Sequence, residues 1–134
     1  MPNPQESLRE AASVAIVDGE RVLLIQRAYA PYQHLWTLPG GRRDPDESVV
    51  ACAVREVAEE LQLRIDNLRP VLVQTLTEGA GWQLSVFATA TFAGDIRPSD
   101  EIADLRWCTP AESETMRTTA GLPAILRQAL ALVV

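Results

Sequence analysis

Residues 41–63 read Gly41-Arg42-Arg43-Asp44-Pro45-Asp46-Glu47-Ser48-Val49-Val50-Ala51-Cys52-Ala53-Val54-Arg55-Glu56-Val57-Ala58-Glu59-Glu60-Leu61-Gln62-Leu63. Val50, Val54, Val57 and Leu61 recur at spacings of 4, 3 and 4 and, at about 100° per residue, share one narrow arc. That arc predicts a helix over 48–61 with a buried stripe. Glu56, Glu59 and Glu60 fall within about 100° of one another on the roughly opposite side. Glu56 forms like-charge i,i+3 and i,i+4 pairs with the other two, each unfavourable by about 0.2–0.5 kcal/mol on an exposed helix. Glu59 and Glu60 also occupy the last turns, where the helix dipole favours cations. Arg55 alone does not neutralise three carboxylates. A hard divalent cation, which prefers oxygen ligands, reverses the balance. Without one, the same residues read as a solvated acidic face.

Just upstream, Gly40 and Gly41 follow Pro39 and let the backbone approach a ligand or another chain segment closely. Asp44, Asp46 and Glu47 gather negative charge at the expected helix N-terminus, with Asp46 or Glu47 placed to cap free amides. A calcium-binding EF-hand loop does not fit, because counted from Asp44 the position of its bidentate glutamate is Arg55.

Outward from this segment, Ala12–Val17 and Arg21–Arg27 form a predicted hairpin around Asp18-Gly19, where glycine accepts the positive φ of the turn. Residues 28–43 read as a loop with one short strand. Beyond the helix, Val71–Thr77 and Trp82–Phe92 are strand runs separated by Glu78-Gly79-Ala80-Gly81, and Ile102–Cys108 holds another short strand. Pro110 opens a short helix to Met116 with Thr109 as N-cap, and Leu122–Leu132 is a helix with apolar Leu122, Ile125, Leu126 and Ala129. Hairpins interleaved with helices predict an α/β fold, a mixed sheet covered by helices. The 134 residues, 47% apolar, read as a single domain over 1–134 with a loose lead-in at 1–10.

Composition excludes several chemistries. All 12 basic residues are arginine, which removes a Walker-type phosphate loop and Schiff-base mechanisms, both of which need lysine. His34 is the only histidine, so a multi-histidine zinc centre cannot form within the chain. A net charge of −6 disfavours binding to nucleic acid polymers. Cys52 and Cys108 lack metal-ligand spacing and read as reduced thiols. With no signal peptide at the N-terminus and no membrane-length apolar run, the expected location is the cytoplasm.

The segment also resembles a known family. Gly41, five residues, Glu47, seven residues and then Arg55-Glu56-Val57-Ala58-Glu59-Glu60-Leu61-Gln62-Leu63 look like the Nudix box, GX5EX7REUXEEXGU, where U is a bulky aliphatic. Eight of the nine specified positions agree over these 23 residues, and Gln62 stands where the family has glycine. Leu35-Trp36-Thr37-Leu38-Pro39-Gly40 is similar to the short strand that leads into the box. The resemblance implies an α/β/α sandwich with a mixed sheet. It also implies Mg²⁺-dependent hydrolysis of the pyrophosphate linkage of a nucleoside diphosphate derivative by attack of water on phosphorus. Carried over to this chain, Glu56, Glu59 and Glu60 would hold Mg²⁺ or Mn²⁺, and Glu56 is a candidate to take the water's proton. Arg55 would orient carboxylates, Glu47 would support the loop and metal cluster, and Gly40 and Gly41 would shape the loop–helix join. The general base varies among relatives, so Glu101 and Asp104 are further candidates. The alternative is a Nudix-fold module that binds a nucleotide without hydrolysing it.

Other residues carry less specific signals. Arg27, at the end of a strand, is a candidate for a phosphate contact or a surface arginine. Trp82, beside a glycine-rich turn, is a candidate for stacking on a nucleobase or for the core. Trp36 and Trp107 read as core residues, and His34 as a loop or packing residue. The proline that marks ADP-ribose enzymes of the family is absent around Glu78–Gly81, which leaves nucleoside triphosphates, oxidised nucleotides and other conjugates open. A small-molecule nucleotide is the expected partner, and a homodimer is left open.

Overall fold

A computed structural model describes residues 9–76 and 81–133. Strands β1 (Arg9–Asp18) and β2 (Arg21–Arg27) are followed by β3 (Trp36–Thr37), β4 (Gly40–Arg42) and helix α1 (Val49–Leu61). Next come β5 (Arg64–Asp66), β6 (Arg69–Leu76), β7 (Trp82–Thr89) and β8 (Thr91–Ala93), then β9 (Ile102–Cys108), α2 (Pro110–Ser113) and α3 (Leu122–Val133).

β1 organises the sheet. β7 runs parallel to it from Arg9↔Trp82 to Ile16↔Thr89, and β6 joins β7 antiparallel. β1 also meets β2 through Val17↔Val22, and β4 through Ala11↔Arg42, Ala12↔Gly41 and Ser13↔Gly40. β2 carries β3 and β9, both antiparallel, which gives a mixed seven-stranded sheet. Because β1 and β2 are covered on both faces, their apolar residues run on without polar alternation. Val14, Ile16, Leu23 and Ile25 pack with Ala53, Val57 and Leu61 of α1. Ala15, Val17, Val22 and Leu24 pack with Leu122, Ile125 and Leu126 of α3. This is the expected α/β/α sandwich.

Several boundaries differ from the sequence reading. Arg9 and Glu10 belong to β1, because pairing with Trp82 and Gln83 extends the strand beyond its apolar run. Residues 28–43 hold two short strands, the second formed by the two glycines against β1. The run 82–92 breaks after Thr89, and its end becomes β8, which pairs with β5 in a separate two-stranded sheet. Of the expected turn at 78–81, residues 78–80 lie outside the described residues, while β6 and β7 pair antiparallel on either side. Thr109 caps α2 as expected, in a reciprocal pair with Glu112, but the helix stops at Ser113. The buried stripe of α1 is also rotated. Cys52 and Ala53 are fully buried, and Val50 is 44% exposed. The two small side chains let the helix seat close on the sheet, which turns Val50 outward and Glu60 inward.

Candidate active site

The N-terminal end of α1 is built by Ser48, whose backbone is extended and whose Oγ accepts the Ala51 N–H at 3.0 Å. Neither Asp46 nor Glu47 is the cap. Glu47 instead accepts the Asp44 N–H at 2.9 Å and takes the Arg55 fork, Nη2 to Oε1 at 2.7 Å and Nε to Oε2 at 3.0 Å. That bidentate grip, followed by the Asp44 amide, holds the Glu47 carboxyl down to about 2. Arg55 Nη1 donates to Glu56 Oε1 at 3.0 Å and to Glu59 Oε2 at 3.2 Å, and Nη2 donates to the Arg42 carbonyl at 2.9 Å. One guanidinium therefore ties three carboxylates and β4 together, which raises its own pKa, chiefly through Glu47.

The two glycines have separate tasks. A Cβ at Gly40 would fall 2.1 Å from the Ala12 carbonyl oxygen, so close strand approach demands glycine there. A Cβ at Gly41 would fall 2.4 Å from Glu56 Cδ, so that glycine leaves the space the Glu56 carboxylate occupies. Glu60, one turn further along α1, is only 4% exposed, and its Oε2 has no hydrogen-bond partner among the described residues. Burial first, and the Glu56 charge second, push the Glu60 carboxyl above the usual range. Glu56 is also raised by burial, against the pull of Arg55. Two carboxyls one turn apart in a partly dry site resist ionising together.

Beside them opens a cleft of about 540 Å³. Gly40, Gly41, Asp44, Glu56, Glu59 and Glu60 line it, with Arg27, Arg42 and the segment Ser99-Asp100-Glu101. That segment is held against the end of α1 by Ser99 N–H to the Glu60 carbonyl at 2.8 Å. Ala28 N–H to the Glu101 carbonyl, at 2.9 Å, ties it to the end of β2. The donors are oxygen throughout, the set a hard divalent cation takes. Among the described residues, no three acidic, histidine or cysteine side chains already converge on one point. Glu59 is turned onto Arg55, with its side chain 59% exposed.

The structure sorts the remaining candidates. Arg27 and Glu101 line the cleft, and Asp104 does not; its carboxylate accepts the adjacent Leu105 N–H at 2.8 Å. Trp82 lies outside the lining, with the Arg42 guanidinium 4.9 Å from its ring centroid and that of Arg9 at 5.6 Å. Trp36 is buried under α3, Trp107 packs on Phe92 at 5.7 Å, and His34 is exposed in the 28–35 loop. Cys52 is buried, and that burial pushes its thiol up to about 11. Gln62 ends α1 in left-handed geometry, φ 58° and ψ 30°, donating to the Ala58 carbonyl at 3.0 Å. Sequence reasoning missed Arg42, Ser99 and Asp100. Arg42 is an unspecified position within the box, and the other two reach the cleft only through the packing of their loop on α1.

The NUDIX domain family model matches residues 7–128. The chain is 31% identical over 97 residues to the putative 8-oxo-dGTP diphosphatase of Bacillus subtilis (strain 168), covering 72% of this chain and 63% of that one. It is 33% identical over 120 residues to the 8-oxo-dGDP phosphatase NUDT18 of Mus musculus, covering 86% of this chain and 33% of that one. The chain thus spans less than two thirds of the length of both relatives. Among solved structures, it superimposes on the MutT NUDIX hydrolase from Burkholderia pseudomallei with a TM-score of 0.82 at 29% identity, covering 90% of this chain and 97% of that one. The E. coli ORF135 protein gives a TM-score of 0.81 at 27% identity, covering 98% and 95%. The box spacing, the sandwich and the acidic helix agree with these matches, and the chain belongs to the NUDIX family.

Proposed function

We propose that this protein is a pyrophosphohydrolase that, with Mg²⁺, cuts a phosphoanhydride bond of a nucleoside diphosphate derivative by attack of water on phosphorus. Glu60 carries the reading. A carboxylate oxygen buried without a partner is costly to folding, and a cation shared with Glu56 removes that cost. Glu56, Glu59 and Glu60 would hold the ion, with Mn²⁺ as a substitute. Such an ion, when bound, supplies neutralisation of phosphate charge and a more acidic water.

The chain's own residues do the remainder. Arg55 fixes Glu47 and Glu56, and Glu59, which lines the cleft while paired with Arg55, needs only a side-chain rotation to turn its carboxylate toward Glu56 and Glu60. Arg27, at the cleft wall, is suited to a phosphate oxygen. Glu56, or Glu101 in the same cleft, accepts the proton of the water. The printed activities of the two curated relatives make oxidised purine nucleoside di- and triphosphates the first substrates to try. Among the described residues no helix is long and apolar enough to cross a membrane. We place the activity in the cytoplasm, where such nucleotides are found.

The test is a hydrolysis screen of nucleotides in Mg²⁺, following phosphate after phosphatase coupling. Turnover is expected to vanish with EDTA and to return with Mg²⁺ or Mn²⁺. Melting temperature is expected to rise with Mg²⁺, because a ligand that binds only the folded state stabilises it. Full turnover in chelator would overturn the metal role.

A further inference from the structure

Arg43 stands at an unspecified position between Gly41 and Glu47, and it does not line the cleft. Its side chain is only 27% exposed. Its backbone N–H donates to the Glu10 carbonyl of β1 at 2.9 Å, which fixes where the side chain starts. Nη1 then donates to three carbonyls, those of Asp44 at 3.1 Å, Pro45 at 3.2 Å and Glu47 at 2.9 Å. Nε stands 2.6 Å from Glu10 Oε2 as an ion pair, without the alignment of a hydrogen bond. One side chain thus gathers the loop between β4 and α1 and ties it to β1.

The stability of α1 alone does not ask for this cation. The Glu47 carbonyl immediately precedes the N-cap Ser48, at the end of the helix where the dipole favours negative charge. What the guanidinium does, with its several in-plane N–H bonds, is shape the turn from Asp44 to Glu47, which the Glu47 N–H closes on the Asp44 carbonyl at 3.3 Å. In that turn the Asp44 N–H meets Glu47 Oε1, and the Glu47 carboxylate faces the Arg55 fork. Arg55 Nη1 in turn reaches Glu56 and Glu59. We propose that Arg43 is a positioning residue, which sets the loop that presents Glu47 to Arg55 and, through Arg55, holds Glu56 and Glu59 ready for the metal. The proposal deepens the hydrolase reading and rests on it for the reaction.

The probes are Mn²⁺ alone, its binding followed by electron paramagnetic resonance, and steady-state hydrolysis of a nucleotide found by the screen. Arg43→Leu is expected to weaken Mn²⁺ binding by about tenfold, the usual scale for groups that orient metal ligands. It should lower kcat by a similar factor with KM for the nucleotide within about twofold. Glu10→Gln removes the ion pair and keeps the carbonyl contacts. It is expected to stay within about threefold of the wild type, because a partly exposed ion pair contributes little. In a Glu47→Gln background, Arg43→Leu is expected to cost less than about threefold more, since both changes act through one contact.

Wild-type Mn²⁺ affinity in folded Arg43→Leu overturns the proposal. So does full multiplication of the two losses in Arg43→Leu/Glu47→Gln, which would route the effect around Glu47. A raised KM with unchanged kcat also overturns it, because Arg43 would then be meeting substrate. Were Arg43→Leu to melt below the assay temperature, Arg43→Gln would decide by the same readings. Arg43-dependent Mn²⁺ binding without hydrolysis of any nucleotide would sink the hydrolase reading and keep the positioning role. Hydrolysis with Arg43-independent Mn²⁺ binding would do the reverse.

Discussion

The two faces of the sheet are covered by helices of nearly equal length, 13 residues in α1 and 12 in α3, with different burial chemistry. Under α3 the buried side chains are Leu122, Ile125, Leu126 and Ala129, apolar throughout. Under α1, Cys52, Ala53, Val57 and Leu61 share the buried face with Glu60. The α3 face is what folding alone would choose. The α1 face gives up stability to keep carboxylates where water is scarce, a local conflict of the kind that marks functional sites. The ends of α1 show the same conflict, with two glutamates and no basic residue in its last turn.

The sharpest way to break this comparison is to neutralise one acid at a time. Glu56→Gln and Glu60→Gln are expected to lower hydrolysis roughly 10²–10⁴-fold, since each removes a charged group from the proposed site. The same variants should melt at the wild-type temperature or above in the absence of metal, because repulsion between neighbouring carboxyls is relieved. Near-normal rates in both would mean that the acidic face is not the site.

The reciprocal change belongs to the other face. Leu126→Ala empties a fully buried position and is expected to reduce stability by about 2–5 kcal/mol. Below its lowered melting temperature it should hydrolyse at the wild-type rate, because no α3 residue lines the cleft. A specific loss of kcat in the folded variant would show that the two faces are coupled.

A smaller effect is expected at Gln62. Left-handed geometry costs an L-residue roughly 1–2 kcal/mol, partly offset in Gln62→Gly by the freedom of glycine in the unfolded chain. Urea melts should therefore show a gain of up to about 1 kcal/mol, with hydrolysis unchanged. A lower midpoint would mean that the Gln62 side chain contributes packing worth more than the strain.

The smallest effect concerns α2 and is a matter of pH. The Thr109 backbone N–H, and then the Thr109 hydroxyl, hold the Glu112 carboxyl below the usual range. A carboxyl whose pKa is lower folded than unfolded adds stability above its unfolded value of about 4.3, and that stability is lost as pH falls through the folded value. Glu112→Gln should thus melt slightly below the wild type at pH 7, and the gap should close in acid. A gap that persists once the Glu112 carboxyl is protonated in the folded state as well would point to packing instead of charge.

Much of this was legible beforehand. The hairpin at Asp18-Gly19, the helix over 48–61, the Thr109 cap and the terminal helix follow from turn chemistry and short-range periodicity. The clustering of Glu56, Glu59 and Glu60 also followed, because spacing on one helix is a local property. The rotation of that helix was not legible. Four large aliphatics pointed to one stripe, while the small Cys52 and Ala53 decided which arc approached the sheet. The strand at Gly40–Arg42 was hidden for a similar reason, since glycine carries no strand signal and pairs here only because β1 is beside it.

The sequence by itself determined the family, the oxygen-rich character of the site and the chemistry denied to a chain with no lysine and one histidine. It did so because these depend on which residues are present and on spacings within a single helix. Only the tertiary structure decided that Glu60 is buried with an unpartnered oxygen, and that Arg55 spans Glu47, Glu56 and Glu59. It alone brought Glu101 to the cleft and left Asp104 outside, and it laid Arg42 over Trp82 across two strands that flank β1. Each of these depends on desolvation or on contacts between distant segments, and both quantities exist only once the sheet has brought those segments together.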